Sequence, residues 1–185
     1  MRIFIDLRLL CKGKLSGIEE YTRLLIDNLL TIDHKNEYLF FYNGFRKAPL
    51  PSSWVGKENV TIFDRRIPNR LLDFSFRWFN FPKIDSFFRP DLIFSPHFNL
   101  LRTTASAKRI ITFHDLSFVH FPEFYPPRKR FWHWSQDYRR QAYEATAIST
   151  VSEFTKFDLV KTLNLPEEKI RVIYESGNAE CRRLP

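Results

Sequence analysis

Glycine, cysteine and methionine are all scarce in this chain: 5 Gly, 2 Cys and 1 Met among 185 residues. Cys11 and Cys181 lie near opposite ends and form neither a CxxC pair nor a Cys/His spacing suited to zinc. No metal and no cofactor are therefore expected, and so few cysteines fit a reducing compartment. No run reaches the roughly 18–20 apolar residues that would span a bilayer. The opening MRIFIDLRLLCKGKL has no long apolar core and no cleavage-like site, so it does not read as a signal peptide. There is no internal repeat and no low-complexity linker. The expectation is a cytoplasmic protein, with a peripheral seat at the inner face of the cell membrane left open.

Phenylalanine is abundant, at 20 residues, within an ordinary 44% apolar and 27% charged composition. A chain of this length makes one well-packed domain, and some of those rings must reach its surface, where they mark a groove, a partner or a membrane face. The formal charge of +8 favours anionic partners, although solubility alone would also account for it.

Short apolar runs alternate with amphipathic stretches, the pattern of a parallel α/β sheet with helices on both faces. Strands are predicted at 2–7, 37–43, 59–64, 91–96, 109–114, 147–152 and 169–174. Ser16 with Glu19 reads as a capping box that opens a helix, with Ile18, Tyr21, Leu25 and Leu29 as its apolar face. Further helices are expected over 70–81, Arg128–Glu144 and Glu153–Leu163. In such a sheet ligands bind beyond the carboxyl ends of the strands. That edge collects Asp6–Gly17, Ser95–Asn99, His114–His120, Ser152–Glu153 and Tyr174–Gly177.

Three blocks carry a resemblance: FIDLRLL with SGIEEYTRLLIDNLL, then TFHDLSFVHFPEFY, then AISTVSEFTKFDLVKTLNLPEEKIRVIYESG. In order and over nearly the whole chain, they resemble the N-terminal domain of family-four retaining glycosyltransferases with the GT-B fold. The resemblance implies a single Rossmann-like domain over residues 1–175, one half of a GT-B fold, and an interdomain linker remnant at 176–185. It implies that the donor-binding domain is absent from this chain. The implied enzyme is a hexosyltransferase in cell-surface polysaccharide biosynthesis, active only when completed by a donor-domain chain. Its partners would be a nucleotide-sugar donor and a glycan or lipid-linked acceptor. The alternative is a non-catalytic module that binds a glycan, a lipid head group or a partner protein.

His114 and Asp115 are the candidate catalytic pair: a neutral imidazole at a strand end can hold a sugar hydroxyl, and a carboxylate beside it can orient it. A satisfied strand-end histidine with Asp115 capping the next turn is the competing reading. Gly17 and Ile18 open a helix whose free N–H groups face a phosphate or simply start a capped helix. Ser152 and Glu153 are expected as substrate contacts or as the N-cap of the following helix. His97 and Asn99 are expected as acceptor contacts. Asp6 and Arg8 form a D-x-R pattern that either touches ligand or supports the Gly17 loop. Rings and basic residues interleave over 70–90 and 126–140, with Arg128, Lys129 and Arg130 as a membrane or acceptor face. No RNP, KH or zinc-finger signature appears, so nucleic acid is not an expected partner.

Overall fold

Seven strands form one all-parallel sheet in the order β3-β2-β1-β4-β5-β6-β7. The computed structural model describes residues 1–13, 16–45 and 47–175; the expected linker remnant at 176–185 lies outside the described residues. The strands are β1 (Arg2–Asp6), β2 (Glu37–Phe41), β3 (Val60–Phe63), β4 (Leu92–Ser95), β5 (Arg109–Phe113), β6 (Ala147–Thr150) and β7 (Ile170–Val172). Each coincides with a predicted run, trimmed by one to three residues. The helices are α1 (Gly17–Ile32), α2 (Asn69–Trp78), α3 (Ile84–Phe88), α4 (Ser117–His120), α5 (Pro127–Ser135), α6 (Tyr138–Glu144) and α7 (Glu153–Leu163). This is the expected single Rossmann-like α/β domain.

Strand alternation divides the core. Ile5, Tyr38 and Phe40 pack with Ile26 and Leu30 of α1 and with the fully buried Trp54. Phe4, Leu39, Phe41 and Ile93 point to the opposite face, against Leu72 and Phe76 of α2 and Ile84 of α3. A third cluster joins Ile111, Phe113 and Ile148 to Leu159 and Leu163 of α7 and Ala142 of α6. Burying such side chains contributes about 1.5–3 kcal/mol each, so these faces hold the sheet against its helices.

Two details differ from the pattern read in the sequence. The buried stripe of α1 runs through Thr22, Ile26 and Leu30, while Ile18, Tyr21, Leu25 and Leu29 are only half-buried along its sides. Thr22 tolerates the core because its hydroxyl donates to the Ile18 carbonyl at 2.8 Å. The single helix expected over Arg128–Glu144 is broken into α5 and α6. Asp137 adopts a left-handed backbone (φ 53°) between them. Tertiary bonds hold the break: Gln136 Oε1 accepts from Leu100 N at 2.7 Å, and the Asp137 carboxylate accepts from Arg102 at 2.8 Å. Helix propensity alone does not anticipate partners from a distant loop.

Candidate functional site

The chain runs from β1 outward to β3 and returns to β4 beside β1, so the strand order reverses between β1 and β4. A crevice opens at such a reversal, and ligands commonly enter it. Here the protein's own ions fill it. Arg8 Nε donates to both carboxylate oxygens of Asp6 (2.9 and 3.1 Å), and Nη2 donates to Asp6 Oδ2 at 2.7 Å and to the Leu100 carbonyl at 2.8 Å. Nη1 reaches Asp73 at 3.3 Å, and the guanidinium lies against the rings of Phe41 and Phe76. Both Asp6 and Arg8 are buried. Although burial opposes its charge, the adjacent guanidinium holds the Asp6 carboxyl below the usual carboxylate range. The D-x-R pattern is therefore a structural clamp under the β1 loop, with no charge left over for a ligand.

His97 follows β4 into the same crevice. It is buried, and its Nδ1 accepts from the Asn99 N–H at 3.1 Å. Burial pushes its pKa down to about 4, opposed by Asp6 and helped by the neighbouring Arg8 and His114. The imidazole is neutral at physiological pH, with Nε2 buried and unpartnered. Asn99 is half-buried beside it. His97 thus lies beneath the surface where an acceptor would sit.

His114 stands farther along the edge, just past β5. Its Nε2 donates to the Pro96 carbonyl, after β4, at 3.0 Å, and its Nδ1 lies 3.1 Å from Glu175 Oε1, past β7. The Tyr21 ring of α1 meets the imidazole edge-on, with centroids 4.9 Å apart. The His114 carbonyl accepts from the Thr155 hydroxyl in the first turn of α7 at 3.0 Å. The exits of β4, β5 and β7, the side of α1 and the first turn of α7 thus converge on one residue, whose side chain keeps 11% of its surface open.

The neighbouring candidates are arranged around it. Asp115 is exposed and accepts from Ser117 N at 2.8 Å and from the Ser117 hydroxyl at 2.5 Å, forming a local turn. Ser152 is the N-cap of α7 and accepts from Thr155 N at 3.1 Å. Glu153 is exposed in the first turn. Gly17 and Ser16 open α1, where Ser16 N donates to Glu19 at 3.2 Å. A methyl group added at Gly17 would meet nothing within 4 Å. Ile18 is half-buried. The Glu19 carboxylate turns back over the helix start, so it competes with any anion for the free N–H groups there.

The structure brings His114, the start of α7 and the side of α1 together, and sets His97 below them. Arg128, Lys129 and Arg130 are exposed on α5. His120 is paired with Asp158 at 2.7 Å, and His133 is stacked on Phe118 at 4.5 Å. Tyr21 and Thr155 are neighbours of His114 that the sequence does not single out, and Glu175 falls within the expected Tyr174–Gly177 edge. Helical spacing puts Tyr21 on the apolar face of α1, and Glu175 carries no motif beyond its place after a strand. Among the described residues no group of three or more His, Cys, Asp or Glu side chains could hold a metal. No helix among them is long and apolar enough to cross a membrane.

Family comparison agrees with this architecture. The profile of Glycosyltransferase Family 4 matches residues 15–176, and the chain belongs to that family. No curated protein matches the chain. Two solved structures superpose on it over most of its length. Anabaena HepE in complex with UDP and glucose gives a TM-score of 0.48 at 14% identity, covering 96% of this chain and 45% of HepE. The wall teichoic acid polymerase TagF gives 0.49 at 12% identity, covering 95% of this chain and 38% of TagF. The chain therefore spans less than half the length of either.

Proposed function

We propose that this domain is the acceptor-side half of a retaining glycosyltransferase that moves a hexose from a nucleotide-sugar to a glycan or lipid-linked acceptor. Family membership supports glycosyl transfer in general; the retaining mode and the acceptor side follow from the resemblance carried by the three sequence blocks. The observation that carries the site assignment is the convergence of the β4, β5 and β7 exits, the side of α1 and the start of α7 on His114. In this reading residues 1–175 form the domain and 176–185 lead toward a donor-binding half. His114 holds a sugar hydroxyl or steadies the backbone that does, and it is a binder and polariser rather than a general base. Asp115, Gly17, Ile18, Ser152 and Glu153 line the same edge, and the setting is the cytoplasm, in cell-surface polysaccharide biosynthesis.

The buried Asp6–Arg8 clamp shapes what can bind. With the Arg8 guanidinium spent on Asp6, Asp73 and a carbonyl, and with Glu19 over the α1 start, this edge suits uncharged sugar hydroxyls better than phosphates. That is the acceptor's chemistry, and it supports a nucleotide site on the other half of the enzyme. A second reading, binding without turnover, is favoured by one fact: both ring nitrogens of His114 already have protein partners. Transfer from a nucleotide-sugar should be assayed with the chain alone and with a donor-binding domain supplied separately. Turnover only in the mixture supports the proposal; turnover by the chain alone overturns the division of labour. Glycan binding without turnover in either case supports the second reading.

A further inference from the structure

The rings and cations of the two distant segments 70–90 and 126–140 meet on one outer face. On α2, Leu71, Phe74 and Trp78 recur at a spacing of three and four and are each more than half exposed, opposite the buried Leu72 and Phe76. On α5, Phe131 and Trp134 are likewise more than half exposed, with ring centroids 5.6 Å apart. Arg77 of α2 joins the two helices: its guanidinium lies 4.8 Å from the Trp134 centroid and pairs with Asp137 at 3.5 Å. At the 100° per residue of a helix, Arg70 borders the α2 rings, and Arg128 and Arg130 border the α5 rings on either side. Lys129 instead leans over Tyr125, away from the exposed pair.

We infer that this α2–α5 face docks on an anionic phospholipid bilayer, with Leu71, Phe74, Trp78, Phe131 and Trp134 in the headgroup–acyl boundary. Exposed clustered rings of this size mark an interaction surface in a soluble domain. Aromatic residues rimmed by arginines are the composition of interfacial helices, whose apolar side sinks a few ångströms while the cations meet lipid phosphates. A second copy of the chain is a poor occupant, because a two-fold contact would set arginine rims against each other. The inference stands apart from the transfer reading, since lipid binding needs neither sugar nor donor domain.

The test is co-sedimentation of the 185-residue chain with phosphatidylcholine vesicles, with and without phosphatidylglycerol, at low and high salt. The expected result is binding to the anionic vesicles only, weakened by salt, with a blue shift of tryptophan emission. Trp78→Ser with Trp134→Ser should lower binding roughly tenfold or more and abolish the shift, as loss of inserted rings requires. Each of Arg70→Ser, Arg128→Ser and Arg130→Ser should cost about fivefold, while Lys129→Ser costs less. All these side chains are exposed, and circular dichroism confirms that the variants are folded; where the double variant is not, the single Trp78→Gln and Trp134→Gln are measured instead. Absence of binding at low salt overturns the inference. So does binding that survives the ring substitutions, or a single-stranded oligonucleotide that binds the face while vesicles fail to displace it.

Discussion

His114 Nε2 lies 3.0 Å from the carbonyl oxygen of Pro96, so the exit of β5 is tied to the exit of β4 by one hydrogen bond. The ring is thereby fixed in orientation, with its remaining surface toward the edge of the sheet. In a completed two-domain enzyme, His114→Ala should lower turnover roughly tenfold to a thousandfold, the range for one polar contact that strengthens in the transition state. The thermal midpoint should fall by only a few degrees, since Glu175 is exposed and rehydrates. His120→Ala should leave turnover nearly unchanged and act on stability through the lost Asp158 pair. Steady-state kinetics beside a melting curve separates these outcomes. A large fall in stability with an unchanged turnover per folded molecule would make His114 a strand-end clamp only.

Gly17 offers a cleaner test of ligand approach. Its backbone is ordinary helix and an added methyl meets open space, so Gly17→Ala should be neutral for the fold or stabilise it by about 0.4–1 kcal/mol. If substrate comes close to the start of α1, the same methyl should raise the acceptor KM severalfold. Equal KM values for the two proteins would remove Gly17 from the binding edge.

His97 predicts acid sensitivity. The unfolded imidazole titrates near 6.5 and the folded one near 4, so the unfolded chain takes up the proton first. The stability that comes from keeping His97 neutral is complete above pH 6.5 and is lost as pH falls toward 4. The full loss amounts to about 3 kcal/mol. Urea midpoints measured across that window should fall with pH. In His97→Gln, which retains an acceptor for the Asn99 N–H, the slope should be visibly smaller. A pH profile identical in the two proteins would show that another group controls the acid limb.

The Asp6–Arg8 clamp predicts a strong asymmetry between single and paired substitutions. Arg8→Met leaves a buried carboxylate unpaired and should cost about 3–5 kcal/mol, read as a lower urea midpoint. Adding Asp6→Asn removes the stranded charge and should recover part of that loss. If the double variant were less stable than Arg8→Met, the pair would be contributing more than mutual neutralisation.

The strands were legible because a buried parallel sheet forces continuous apolar runs, and RIFID, YLFF, LIF, RIITF and AIST have few alternatives at that length. The α1 start was equally plain from Ser16 and Glu19. The hidden features depend on partners far apart in sequence. Nothing near Gln136 announces that Leu100, 36 residues away, needs its side-chain oxygen. Nor does the D-x-R pattern show that Arg8 will be sealed under Leu100 and Asp73. The candidate edge could be located from strand ends alone, and His114 with it. Which of its histidines lies at the surface could not, because His97 and His114 follow equivalent strand ends and differ only in what covers them.

The left-handed corner at Asp137 separates two helices of unequal status. No residue of α5 is buried, whereas α6 is anchored through Gln141, which accepts from Leu101 N and Arg109 and donates to the carbonyls of Phe98 and Gln136. The stretch 127–135 is in effect a cladding strip, held to the frame by His133 on Phe118 and Trp132 near Phe98, with its other side free. Its outward residues can drift without asking the sheet to refold, so what this domain rests against can change while the strand-exit edge around His114 stays as it is.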